Sequence, residues 1–137
     1  MNKAKATLQR LLEHELRCAE RYRRFVAVMR VVSSLDDEPL ENCLADSMRA
    51  CDDCVWLGNG FDLMMSETTQ EGALAAARRY TAALRGKAHL SFGIAEFPGD
   101  GHDAKNLLDL AQRRLERSLR NGYSNMTVKG REPQNAR

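Results

Sequence analysis

The sequence has no long run of hydrophobic residues. Its longest apolar stretch, residues 25–29, ends at Arg30, whereas a membrane-spanning helix needs about 20 predominantly apolar residues. The N-terminal residues MNKAKATLQR also lack the apolar core and the small-residue cleavage site of a secretory signal. We therefore expect a cytoplasmic protein that does not interact with a membrane.

Neither sign of charge dominates, and aromatic residues are few. The chain has 21 Lys and Arg residues against 19 Asp and Glu residues, a formal net charge of +2, and 6% aromatic residues. Domains that bind nucleic acid are typically strongly basic, and those that bind single strands place aromatic residues among the basic ones. The Arg-dense stretches here, residues 17–24 and 113–120, follow helical patterns and contain Glu, so they indicate solvated helix faces. We expect no DNA or RNA partner.

The cysteines offer only a weak metal pattern. Cys51 and Cys54 form a single CxxC pair, and His14 and Cys18 lie four residues apart on one predicted helix. Together they would supply four zinc ligands, but a strong zinc pattern would contain a second CxxC or an HxxxH. Free thiols are the default in a cytosolic chain. We predict no metal site and no cofactor, with this zinc site as the alternative.

Length and composition predict one globular domain. The chain has 137 residues, of which 43% are hydrophobic. This is enough apolar surface for one packed core but not for two. We expect the domain to span residues 1–128 and residues 129–137 to form a flexible C-terminal tail.

Hydrophobic periodicity predicts the element order α-β-α-β-β-α-β-α-β. Apolar residues at spacings of three and four indicate helices, whereas β-branched runs and alternation indicate strands. An Asn-Gly pair at residues 59–60 joins two short apolar runs and favours a hairpin. The predicted helices cover residues 4–23, 39–49, 69–85 and 103–120, and the predicted strands cover residues 23–34, 54–57, 61–65, 89–95 and 125–128. This order predicts an α/β (α+β) fold with a central mixed sheet flanked by helices.

Alternation along the second hairpin strand predicts which way its side chains face. Successive residues of a strand point to opposite faces of the sheet. Asp62 should therefore face away from the side of Phe61. Met64 and Met65 should also lie on opposite faces, and we expect one in the core and the other exposed or at a contact.

Three short motifs in the second half of the chain keep a fixed order and spacing. Residues 91–95 read SFGIA, residues 97–101 read FPGDG, and residues 107–111 read LLDLA. These match the patterns SIGVA, P-x-DG and LL-x-x-A of the GGDEF domain, the catalytic module of bacterial diguanylate cyclases. The resemblance extends from about residue 8 to residue 128. It implies the GGDEF-type, ferredoxin-related architecture.

The resemblance places the predicted hairpin turn where the family carries its signature. The turn contains Gly58, Asn59, Gly60 and Phe61. Aligning Phe61 with the family's Phe leaves the turn one residue short and without its acidic pair. The family's other metal-binding Asp, at the end of the first strand, falls within the sequence VVSS at residues 31–34. Valine cannot bind Mg²⁺, and serine is a poor replacement for an anionic oxygen ligand.

Two further groups of family residues have no counterpart here. A Lys and an Arg on the family's last helix hold the triphosphate, and the matching positions are Leu119 and Tyr123. Of the polar loop that contacts guanine in the family, only residues 35–38 remain, with Asp36 and Asp37 as the acids available to compensate. The joint loss of metal, base and triphosphate contacts implies that the chain is not an enzyme.

One ligand-binding motif of the family is retained. Many members bind their product, cyclic di-GMP, through an Arg-x-x-Asp motif five residues before the signature. Here Arg49 and Asp52 form that motif, and five residues separate Asp52 from Gly58. An Arg guanidinium can pair with a phosphate or with guanine O6 and N7, while a carboxylate accepts from guanine N1 and N2. The alternative is a non-binding surface pair, because Asp often follows a helix end as a turn former.

These observations give two functional hypotheses. The first is a catalytically inactive GGDEF-like regulatory domain in bacterial cyclic-di-GMP signalling, with Arg49 and Asp52 as the nucleotide contacts. The second is a protein-interaction or dimerisation scaffold that binds no nucleotide. Both hypotheses allow a protein partner or a homodimer, for which the long charged first helix is available.

Overall fold

The computed structural model describes residues 3–48, 53–120 and 126–127 of the chain. Its helices are α1 (Lys3–Tyr22), α2 (Asp37–Leu44), α3 (Gln70–Ala83) and α4 (Ala104–Arg120). Its strands are β1 (Val26–Ser33), β2 (Asp53–Trp56), β3 (Gly60–Ser66), β4 (Leu90–Phe97) and β5 (Met126–Thr127). This is the predicted element order.

The strands form one mixed sheet in the order β2-β3-β1-β4-β5. β1 lies between β3 and β4 and is antiparallel to both, so that Val31 is opposite Phe61 on one side and Phe92 on the other. The hairpin pairs β2 with β3, and β5 runs parallel to β4. The prediction of a central mixed sheet flanked by helices is confirmed.

Each face of the sheet is covered by two helices. On one face, α2 and α3 pack over a cluster that includes Phe61, Tyr80 and Phe92. On the other face, α1 and α4 pack over a cluster that includes Val28 and Leu107. Because both faces are covered, side chains from both sides of the strands are buried.

The structure corrects two details of the sequence analysis. α2 begins before Pro39, at Asp37, and ends at Leu44 instead of continuing to residue 49. Met64 and Met65 do lie on opposite faces of the sheet, but both are buried, with exposed fractions of 3% and 0%. The expectation that one of them is exposed was wrong because α1 and α4 cover the second face.

Some predictions concern residues outside the described ranges. These include the C-terminal tail at residues 129–137, the position of Tyr123, and the candidate site residues Arg49, Cys51 and Asp52. Within the described ranges, no helix combines the length and the apolar character needed to cross a lipid bilayer.

Candidate functional site

A cavity of about 300 Å³ opens where β1, the β2–β3 hairpin and α4 meet, and we call it the hairpin cavity. Its lining residues are Val31, Val32, Leu57, Leu115 and Leu119, which are apolar, and Arg30, Asn59, Asp62 and Gln112, which are polar. The resemblance to GGDEF domains placed a metal-binding Asp within residues 31–34 and a phosphate-binding Lys at Leu119. The structure brings both positions to this one cavity, where their side chains are mainly apolar.

The charged side chains of the hairpin cavity neutralise each other. Arg30 Nε donates to Asp62 Oδ1 at 2.9 Å, and Arg30 Nη2 donates to Asp62 Oδ2 at 3.0 Å. Arg30 Nη1 also donates to Gln112 Oε1 at 3.0 Å. The side chains of Arg30 and Asp62 are only 11% and 1% exposed, so this bidentate pair is largely removed from water.

The position of Asp62 confirms the predicted alternation. Phe61 belongs to the cluster under α2 and α3. Asp62 lies on the opposite face, where its partner Arg30 also donates to Gln112 of α4. Asp62 is therefore an internal partner for Arg30 and does not replace an acid of the family's signature turn.

The hairpin turn is tied to α2 by Asp37. The Asp37 carboxylate accepts hydrogen bonds from the backbone N–H groups of Gly58 and Gly60, the second at 3.0 Å. The turn is also tied to the end of β1, because the N–H of Ser33 donates to the carbonyl of Asn59 at 2.8 Å. Gly58 has a φ of 109°, a conformation that residues with a side chain rarely adopt.

Gly60 has no room for a side chain. It pairs with Val32 of β1, and a Cβ at position 60 would lie 2.0 Å from the carbonyl oxygen of Val31. That oxygen belongs to the backbone of the central strand and cannot rotate away. The resemblance places the family's acidic pair in the region of Asn59 and Gly60. The close approach of β1 therefore leaves no space for a carboxylate side chain at position 60.

The residues of the hairpin cavity do not fit the metal centre that the GGDEF resemblance implies. Mg²⁺ is bound by oxygen ligands, usually including one or two carboxylates. Among the described lining residues Asp62 is the only acid, and both of its carboxylate oxygens accept from Arg30. Over residues 3–48, 53–120 and 126–127, no group of three or more His, Cys, Asp or Glu side chains is arranged to hold a metal ion.

The alternative zinc site is not assembled. His14 Nε2 and Cys18 Sγ lie 3.9 Å apart on α1, which covers the α1–α4 face of the sheet. Cys54 packs against the cluster on the opposite face, under α2 and α3. Cys51 lies outside the described residues.

Arg49 and Asp52, the predicted contacts for cyclic di-GMP, also lie outside the described residues. The strand that follows them, β2, begins at Asp53 and forms an edge of the sheet. Their ability to bind a nucleotide remains a prediction from the sequence.

Sequence reasoning missed the buried ion pairs. A second pair joins Arg114 to Asp100 in the turn after β4, with Nη1 to Oδ2 at 2.9 Å and Nη2 to Oδ1 at 3.1 Å. A signal for the first pair was present, because Arg30 and Asp62 are opposite charges inside otherwise apolar strands. A buried charge requires a partner, so each of these residues indicated the other.

Comparison with solved structures identifies the fold. The GGDEF domain of YfiN, also named TpbB, from Pseudomonas aeruginosa matches with a TM-score of 0.80 and 18% identity, over 93% of this chain and 96% of that one. An active GGEEF domain of a diguanylate cyclase from Vibrio cholerae matches with a TM-score of 0.75 and 13% identity, over 87% and 92%. The diguanylate cyclase SiaD from Pseudomonas aeruginosa, solved with its activator SiaC, matches with a TM-score of 0.75 and 16% identity, over 89% and 56%.

No protein-family model and no curated protein matches the sequence. Structural similarity at identities of 13–18% establishes a shared fold, and function has to be argued from the site itself. The resemblance seen in the motifs is confirmed at the level of structure, and this chain has the fold of a GGDEF domain.

Proposed function

We propose that this chain is a catalytically inactive, GGDEF-like regulatory domain in bacterial cyclic-di-GMP signalling. The observation that carries this proposal is the composition of the hairpin cavity. Val32 and Leu119 line this cavity in the region where the GGDEF resemblance requires metal and triphosphate contacts. The charges of Arg30 and Asp62 neutralise each other in an ion pair.

The chemistry of the cyclase reaction supports inactivity. Phosphoryl transfer between nucleotides depends on metal ions and cationic side chains that balance the phosphate charge. Arg30 is the only cation among the described residues that line the cavity, and it would have to leave Asp62 to bind a phosphate. Breaking a buried ion pair in this way costs several kcal/mol, because the buried carboxylate loses the guanidinium that balances its charge.

The proposed ligand contacts are Arg49 and Asp52. Cyclic di-GMP presents two phosphates and two guanine edges, which match a guanidinium and a carboxylate respectively. The motif immediately precedes β2, an edge strand of the sheet. Neither of its residues stands at a metal or triphosphate position of the family, so binding of a nucleotide through this motif does not require an intact catalytic site.

Calorimetric titration of cyclic di-GMP into the full chain tests this assignment. We expect saturable binding that weakens at least tenfold in Arg49→Ala and in Asp52→Ala. Arg85→Ala is the matched control, because Arg85 is exposed, follows α3 and is not part of the motif. Absence of binding to the unchanged chain at high micromolar ligand, or equal binding by all variants, would refute the receptor role.

The second candidate function is a protein-interaction or dimerisation scaffold. It is favoured by α1, a helix of 20 residues on which Leu11 is 41% exposed. The matched SiaD structure contains an activator protein, so binding of a protein partner is known for one chain with this fold. Sedimentation velocity over a range of concentrations tests for a dimer without nucleotide, and Leu11→Gln should weaken it. A strictly monomeric particle would count against the dimer.

A further inference from the structure

A second cavity, of about 370 Å³, lies where the end of α1 meets the start of β1 and the end of β4. We call it the α1–β4 cavity. Its apolar part is formed by Ala19, Phe25, Phe97 and Pro98. It shares no lining residue with the hairpin cavity. Its volume falls within the range of small-molecule binding sites.

Two charged side chains on the wall of this cavity are exposed to solvent and have no partner among the described residues. Glu20 and Arg23 both line it, and neither forms an ion pair or a hydrogen bond through its side chain with any residue that the structure describes. Arg24, which also lines the cavity, differs from them. It is ion-paired with Glu67 at 3.0 Å and lies over the ring of Tyr22 at 5.4 Å. One positive and one negative group therefore remain available to a ligand.

The backbone holds Arg23 in an unusual conformation at the rim. Its φ is 55°, in the left-handed region that favours glycine, and the N–H of Arg24 donates to the carbonyl of Ala19 at 2.8 Å to end α1. Glu67 is the other described non-glycine residue with positive φ, and it is the ion-pair partner of Arg24. A left-handed residue directly after the last helical residue is a common way to end a helix, and here it fixes the backbone of Arg23 at the cavity.

We propose that the α1–β4 cavity binds a free α-amino acid with a large apolar side chain. The guanidinium of Arg23 takes the α-carboxylate, and the carboxylate of Glu20 takes the α-ammonium group. The side chain of the ligand packs against Phe25 and Pro98. The carboxylate of Glu20 would repel a ligand that is only an anion, and the guanidinium of Arg23 would repel a ligand that is only a cation. A zwitterion can pair with both side chains.

A third observation agrees with an apolar ligand side chain. Phe25, which lines the cavity, is 44% exposed and is one of the four exposed large hydrophobic residues that the structure describes. Phe97, which also lines the cavity, is buried and packs edge-to-face against His102, with ring centroids 5.6 Å apart.

The test is a titration of L-phenylalanine into the full chain, followed by amide NMR shifts and by calorimetry. We expect saturable shifts confined to residues 19–25 and 97–102. Glycine, 3-phenylpropionate and phenethylamine each lack one of the three recognised groups, so each should bind at least tenfold more weakly. A dissociation constant above about 10 mM corresponds to a very weak binding free energy. Absence of saturable shifts at about 10 mM L-phenylalanine would therefore overturn the proposal.

Charge-neutralising variants assign the contacts. Arg23→Gln and Glu20→Gln should each weaken binding of L-phenylalanine at least tenfold. Because each change removes a like charge, Arg23→Gln should not weaken binding of phenethylamine, and Glu20→Gln should not weaken binding of 3-phenylpropionate. Arg10→Gln and Glu41→Gln are matched controls at exposed positions outside the cavity. Equal binding by Arg23→Gln, Glu20→Gln and the controls would contradict the assignment.

A backbone variant separates ligand binding from stability. Arg23→Gly removes the charge and relieves the left-handed conformation, so we expect a higher thermal midpoint together with loss of L-phenylalanine binding. Retained binding in Arg23→Gly would contradict the proposal. The contacts proposed for the amino acid are made by Glu20, Arg23, Phe25 and Pro98, whereas those proposed for cyclic di-GMP are Arg49 and Asp52, so failure of one proposal leaves the other untouched.

Discussion

The carboxylate of Asp37 accepts a hydrogen bond from the backbone N–H of Gly60 at 3.0 Å, and the same carboxylate accepts one from Gly58. This contact is possible because only residues 34–36 separate β1 from α2, so the first turn of α2 lies against the hairpin turn. The chain thus supplies its own anion to the turn that the GGDEF resemblance associates with substrate and metal. The short connection between β1 and α2 and the hydrogen-bonded hairpin turn are therefore linked in this chain.

Removal of the Asp37 carboxylate should destabilise the domain. We expect Asp37→Ala to lower the free energy of unfolding by about 1–2 kcal/mol, because two backbone N–H groups lose a charged acceptor. Urea denaturation measures this change. Asp36→Ala is the matched control, since Asp36 precedes α2 without a side-chain capping bond, and should cost less. Equal losses in the two variants would contradict the role of Asp37.

The Arg30–Asp62 pair should be strongly coupled. Arg30→Met leaves Asp62 buried without its partner, and we expect a loss of about 3–5 kcal/mol in unfolding free energy. Because apolar residues can replace both charges, the double variant Arg30→Met/Asp62→Leu should recover most of that loss. A double-mutant cycle by chemical denaturation gives the coupling energy. Additive effects of the two single changes would show that the pair is not coupled.

Gly60 should tolerate no side chain. A Cβ there would lie 2.0 Å from the carbonyl oxygen of Val31, so we expect Gly60→Ala to cost at least about 3 kcal/mol of unfolding free energy. In Gly101→Ala, the added Cβ meets Leu107 Cδ2 at an ordinary 3.6 Å, and the loss should stay within about 1 kcal/mol. Thermal unfolding of both variants measures the difference. A Gly60→Ala protein as stable as Gly101→Ala would mean that the turn can open.

The elements of the fold were predictable because their patterns are local. The apolar residues of α4 recur at spacings of three and four, and an Asn-Gly pair marks the turn between β2 and β3. Each of these patterns predicts one element without reference to the rest of the chain. The burial of both Met64 and Met65 was not predictable in this way. It depends on which helices cover which face, and that is settled only when α1 and α4 pack on the sheet.

The site was predictable only in part. The resemblance in sequence identified Val32 and Leu119 as apolar residues in the regions of the family's metal-binding Asp and phosphate-binding Lys. The structure brings both residues to one cavity. The role of Asp37 depends on a contact with a residue 21 positions away, Gly58, and the clash at Gly60 depends on how closely β3 approaches β1. Distances of this kind between separate elements leave no trace in residue spacing.

The central claim is that a GGDEF fold is used here without cyclase activity. The most direct measurement is incubation of the full chain with GTP and either Mg²⁺ or Mn²⁺, with chromatographic detection of cyclic di-GMP and an active cyclase domain as the positive control. We expect no product above the protein-free background. Metal-dependent formation of cyclic di-GMP by the unchanged chain would contradict the claim.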